Sequence, residues 1–271
     1  MSSVGSATFG GVIHPTALVD PSAVLAADVR VGAFSVVEAG VTVAAGARLA
    51  EHVILRQGAA IGAGCVLDSY SVIGGAPQMR GEPVGPGAVE IGARAVLREG
   101  VTINCPTKAG GRTSVGAGCM LMANSHVGHD CEVGEGVTLA NNVMLAGHVR
   151  VGDGCFLGGG VGVHQFVRVG ARAMIGGNAS MSYDVPPYAM AAERNELRGL
   201  NLVGLRRLKV ASAAVADLKR AYHAVYAGPG DFRARAAEAL AGDASGNHAQ
   251  GREFLEFFVG GERGFVHPIV R

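Results

Sequence analysis

Four of the nine histidines in this 271-residue chain, His126, His129, His148 and His164, fall within 39 positions of one another. Imidazole accepts and returns a proton near neutral pH and is also the commonest protein ligand for metals. Such a cluster could supply a general base acting on a hydroxyl. It could also build an open three-histidine zinc site of the carbonic-anhydrase kind, with ligands from neighbouring chain segments or subunits. Corner histidines with no chemical role are the third reading.

The elements that position these histidines follow from a six-residue period. Stepping by six from Ile13 gives Val19, Leu25, Val31, Val37, Val43, Leu49, Leu55, Ile61, Leu67 and Ile73. The same register holds Ile91, Leu97 and Ile103, and runs from Val115 to Met181. Four residues after each aliphatic the side chain is small, as at Ala23, Val29, Ser35 and Cys65. An amphipathic helix repeats at 3.6 residues and a half-buried strand at 2, so period six describes a short strand plus a turn, stacked as a solenoid. Three such units close an 18-residue coil. Positions 129, 147 and 165 then lie above one another, and His148 and His164 each miss that column by one residue. The spacing predicts His129, His148 and His164 stacked along one edge, with His126 beside them.

The expected organisation is a tail over 1–12, a β-helix over 13–184 with loops at 76–88 and 107–112, and a linker with a helical subdomain over 185–271. Those loops are rich in Gly and Pro or charged, and DVPPY at 184–188 ends the repeat. Beyond about residue 196 apolar residues recur at three or four, predicting helices there, over Phe232–Ala241 and over Arg252–Val259.

The composition limits the remaining classes. A net charge of +1 gives no nucleic-acid groove, and no stretch is apolar for the length of a membrane span, so a cytoplasmic protein is expected. The 43 glycines follow no collagen period and form no flexible linker; they mark repeated tight corners. Five cysteines without a CxxC pair read as small buried hydrophobes, with neither a disulfide framework nor a thiolate metal site.

The residues around the histidines carry a resemblance. NSHVGHDC at 124–131, LANNVMLAGHV at 139–149, GVHQF at 162–166, DVPPY at 184–188 and NLVGLRR at 201–207 stand in the order and at the separations of the UDP-N-acetylglucosamine O-acyltransferases that open lipid A biosynthesis. The chain resembles that family over nearly its whole length. The resemblance implies a left-handed parallel β-helix with a C-terminal α-helical subdomain and a homotrimer. It implies transfer of a 3-hydroxyacyl chain from acyl carrier protein to the 3-hydroxyl of the UDP-sugar, the phosphopantetheine thioester being the donor and no cofactor or metal taking part. His129 would be the base, Asp130 its orienting partner and Gly147 the oxyanion donor through its backbone N–H. Gln78, His126, His148, His164 and Gln165 would hold the sugar and phosphates or line the acyl channel. Arg207 would bind the diphosphate, with Asn201 beside it. Gly177 would leave the channel open for about 12 to 14 carbons.

The chain departs from the family at the acceptor side. Where relatives resemble PQDxKY followed by GEPT, this sequence has Pro77, Gln78, Met79 and Arg80 and goes directly to GEPV at 81–84. Val203 and Leu208 stand where Glu and a second Arg are usual. Transfer to an amino-substituted nucleotide sugar, or from coenzyme A, is the resulting alternative.

Overall fold

The computed structural model describes residues 12–81, 87–242 and 245–268. The repeat folds as a three-sided prism of parallel strands. The first face holds nine strands from Leu18–Val19 to Ser180–Met181, the second holds eight from Val24–Leu25 to Arg168–Val169, and the third, starting at Arg30–Val31, reaches eleven among the described residues. Most strands are two residues long, one side chain pointing out and the next in. Register is that of an 18-residue coil, with Met120 above Thr138 and Thr138 above Phe156.

The sixfold aliphatic residues are the inward ones. Leu55, Leu67, Leu97, Leu121, Leu139, Leu145 and Leu157 are fully buried, each contributing about 2 kcal/mol by leaving water. The small position fills the corner, where Cys65, Cys119, Cys131 and Cys155 donate their thiols to carbonyl oxygens of the next coil at 3.0 to 3.1 Å. Burial pushes Cys131 and Cys155 up to about 12, and all five thiols are free. Glycine just after the aliphatic residue is a spacing requirement: a Cβ on Gly116 would stand 2.5 Å from the carbonyl carbon of Gly134.

Four expectations from sequence need correction. Ile13 already bridges to Val31, but the prism does not stop at 184: Ala189–Ala192 lies parallel to Met174–Ile175 and extends the third face. Residues 196–200, expected to open a helix, form an antiparallel strand on Ala189–Ala192. The three-residue spacing of Leu197 and Leu200 suits a helix, but the exposed edge of Ala189–Ala192 offers backbone partners that a strand can pair with. The loops are shorter than expected, since Ala88 and Arg112 begin strands, and residues 82–86 lie outside the described residues. The last helix covers Ala249–Glu256 and stops before Val259, which is 67% exposed.

Four helices follow among the described residues: α1 (Leu202–Arg207), α2 (Ser212–Tyr226), α3 (Phe232–Ala241) and α4 (Ala249–Glu256). They bury their own core around Leu205, Leu218, Val225, Phe254 and Phe258. This core is fastened to the prism by polar contacts. Arg168 Nε donates to the fully buried carboxylate of Asp184 at 2.7 Å, while its Nη2 donates to the carbonyls of Phe257 and Gly260. The hydroxyl of Tyr188 donates to Glu253.

Candidate active site

The corner joining the first and second faces gathers His126, His129, His148 and Asp130. Strand His126–Val127 leads into it, and Asp130, His148 and Phe166 occupy the same corner position on three successive coils, each in the left-handed region with φ of 59°, 62° and 66°. This corrects the expected column. His148 stacks on Phe166 (centroids 4.6 Å apart, planes 6°) and not on His164, because residues one full coil apart share the corner geometry and 148 and 164 are only sixteen apart. His129 meets His148 edge to face at 5.1 Å.

Asp130 organises the corner. Its Oδ2 lies 2.8 Å from His129 Nδ1, accepts the hydroxyl of Thr107 at 2.8 Å and accepts the Thr107 N–H at 3.1 Å. Its own N–H donates to the buried Thr113 hydroxyl at 2.8 Å. Burial pushes the Asp130 carboxyl up, but the hydrogen bonds from His129 and Thr107 outweigh it and leave the pKa below the ordinary aspartate value. A carboxylate only accepts, so Asp130 favours the neutral His129 tautomer with its proton on Nδ1 and its lone pair on Nε2. That nitrogen faces Gly147: a Cβ there would stand 2.2 Å from His129 Cε1 and 2.4 Å from Nε2. The Gly147 N–H makes no backbone hydrogen bond among the described residues.

The other histidines frame this pair. His126 lies 2.8 Å from the Thr102 hydroxyl through Nδ1; burial, with His129 beside it, lowers its pKa. Burial also lowers that of His148, with His129 and Lys108 adding to the effect against the pull of Asp130, whose Oδ2 is 3.7 Å from Nε2. Among the described residues, the ligand atoms close enough to share a metal are those of His129, Asp130 and His148, not three histidines. His164 and Gln165 sit one coil further on and are exposed.

The remaining expected residues lie elsewhere on the chain. Gln78 is exposed in the segment after Val72–Gly75, two strands from His126 along the first face. Gly177 lies between Met174–Ile175 and Ser180–Met181, at the corner between the third and first faces. Asn201 caps α1, accepting the Gly204 N–H at 2.9 Å and donating to the Arg172 carbonyl at 3.1 Å, at the corner between the second and third faces. Arg207 is exposed in the last turn of α1. Val203 on the same helix and Leu208 at its C-cap are 48% and 47% exposed. Sequence reasoning singles out the loop holding Thr107 without that residue, and it misses Phe166 and Arg263. Phe166 is accessible from the sequence, being 18 residues after His148. Arg263, 3.2 Å from His164 Nδ1, leaves no such signal, because the contact spans 99 residues.

Comparison with known proteins gives the family. Residues 184–266 match a family model described as domain 2 of UDP-N-acetylglucosamine O-acyltransferase. Residues 112–147 and 148–180 match hexapeptide-repeat models of bacterial transferases and of succinyl-transferase, which indicate the left-handed β-helix. The acyl-[acyl-carrier-protein]–UDP-N-acetylglucosamine O-acyltransferase of Cupriavidus taiwanensis is 48% identical over 94% of this chain and 98% of its own length. That of Ralstonia nicotianae is 43% identical over 94% and 97%. The solved UDP-N-acetylglucosamine acyltransferase of Francisella novicida superposes with a TM-score of 0.88 at 30% identity, covering 96% of this chain and 95% of that one. With relatives 43% to 48% identical over 94% of its length, and with both the prism and the helical subdomain matched, this chain belongs to the UDP-N-acetylglucosamine O-acyltransferase family.

Proposed function

We propose that this protein moves an acyl chain from acyl carrier protein to the 3-hydroxyl of UDP-N-acetylglucosamine, the first step of lipid A biosynthesis, with His129 as base. The reaction type is that of its relatives; the residue roles are our reading. The observation that carries it is His129, held through Nδ1 by Asp130 at 2.8 Å with Nε2 against Gly147. His129 Nε2 takes the proton from the sugar hydroxyl as its oxygen bonds to the thioester carbonyl carbon. The Gly147 N–H stabilises the resulting oxyanion. The C–S bond then breaks and the departing thiolate takes the proton back from the imidazolium. No step calls for a metal or cofactor, since the thioester is itself activated. Wild-type turnover in a His129→Ala variant would remove the assignment.

His126, His148, His164, Gln165 and Gln78 would bind around the base, Asn201 and Arg207 would hold the nucleotide, and Gly177 would admit the acyl end. These residues occupy three different corners of one prism, so one chain cannot bring them together. Surface chemistry supports a solution. Outward residues of the first face include Leu18, Val36, Ile54, Val72 and Met144, and those of the third include Val66, Val96, Met120, Phe156 and Met174. The second face instead presents Glu90, Glu132, Arg150 and Arg168. Two adjacent apolar faces meeting at the exposed Phe34 and Tyr70 fit a cyclic trimer about that edge, the charged face remaining in water. Light scattering should give three times the 27.4 kDa of the chain. A monomer with full turnover would contradict the shared site. No helix among the described residues is long and apolar enough to cross a membrane, and a cytoplasmic location would give access to both substrates.

A further inference from the structure

The segment after α4 returns to the histidine corner and is held there from several sides. Arg233 Nη2 donates to the carbonyls of Gly261 (3.1 Å) and Arg263 (3.3 Å), Arg168 grips the Gly260 carbonyl at 2.9 Å, and the Asp184 N–H donates to the Gly264 carbonyl at 2.7 Å. Gly261 has no room for a side chain: with φ at +84°, a Cβ would stand 2.4 Å from Arg168 Nη2 and 2.5 Å from Asp184 Oδ2. A segment fixed this firmly delivers the half-buried Arg263 to three consecutive residues of the corner. Its Nε donates to the Gln165 carbonyl at 3.2 Å, its Nη2 lies 3.2 Å from His164 Nδ1, and its guanidinium carbon is 6.0 Å from the Phe166 ring centroid.

A guanidinium has donors only and keeps its proton in proteins. The contact with His164 is therefore a hydrogen bond only when Nδ1 is the acceptor. An Nδ1–H would set two donors face to face, and its other partner, the Gln165 carbonyl at 3.4 Å, is longer and already engaged by Arg263.

We propose that Arg263 is a positioning residue of this site, fixing His164 as the tautomer with its proton on Nε2 and so presenting one N–H donor to an oxygen acceptor of bound substrate. The proposal rests on the reading of this corner as the acyl-transfer site. His164 is exposed, and the acceptor oxygen belongs either to the nucleotide sugar or to the acyl donor. Without the guanidinium both tautomers become available, and the fraction carrying a proton on Nδ1 cannot donate from Nε2.

The tautomer can be read without turnover. In full-length protein labelled with 15N-histidine, long-range 1H–15N correlation should show His164, identified by its loss in His164→Gln, with a protonated Nε2 and a bare Nδ1. In Arg263→Met that preference should be lost. The KM for UDP-N-acetylglucosamine or for the acyl carrier protein thioester should rise about tenfold. Whichever of the two rises identifies the acceptor's source, while kcat stays within about twofold. Arg263→Lys, which keeps the charge without the fork, should recover part of the affinity. A wild-type His164 carrying its proton on Nδ1 would overturn the proposal, as would an Arg263→Met protein with unchanged tautomer and unchanged KM for both substrates. Failure of the base assignment would appear in His129→Ala and would leave the His164 tautomer untouched.

Discussion

His129→Ala should lower kcat by about a thousandfold or more, with the fold retained. The ring lies on a corner and outside the aliphatic stack, so its removal opens no cavity among the core leucines. What disappears is the group that takes the hydroxyl proton, and neither His126 nor His148 can replace it. His126 is tied through Nδ1 to Thr102 on another strand, and His148 is fixed by stacking on Phe166. Asp130→Asn is the companion test. A carboxamide can turn its N–H to His129 Nδ1, which moves the imidazole proton to Nε2 and blocks the base in the wrong tautomer; a loss of about a hundredfold is expected. Steady-state kinetics with circular dichroism on each variant separates these effects from unfolding. Retained turnover in both would assign the proton transfer to another group.

Gly147→Ala should approach the same loss by a different route. The added methyl would stand 2.2 Å from His129 Cε1, closer than any real contact, so the imidazole must leave its position. Moving the ring also strains its 2.8 Å contact with Asp130 and the facing oxyanion donor, so base and oxyanion site fail together. A drop in kcat of about a hundredfold or more is expected, with KM for UDP-N-acetylglucosamine changing far less. An Ala variant with unaltered kcat would mean that the ring is not held against residue 147 during the reaction.

The fold is largely legible in the sequence because one stereochemical demand recurs every six residues, so each aliphatic from Val19 to Met181 reports the same inward position. Legibility fails where that demand stops. Glu196–Leu200 has apolar spacing compatible with a helix, yet an available sheet edge at Ala189–Ala192 decides its structure. The site is legible in its local part. His129 and Asp130 are sequence neighbours, and Gly147 is one coil away. The partners that fix them, Thr107 on Asp130 and Arg263 on His164, depend on a loop and a chain end whose paths no periodicity encodes. The predicted histidine column falls one residue off because corner positions repeat strictly at 18, a rule that selects Phe166 as the partner of His148.

The sequence departs from its family on the acceptor side, at Met79 and Arg80 and at Val203 and Leu208. The direct test is mass spectrometry of the product formed by the purified protein from 3-hydroxyacyl carrier proteins of graded chain length, offered UDP-N-acetylglucosamine and its 3-amino analogue in competition. UDP-3-O-(3-hydroxyacyl)-N-acetylglucosamine is expected as the main product, absent with His129→Ala. Acylation of the amino analogue alone, with the hydroxyl sugar left untouched, would contradict it.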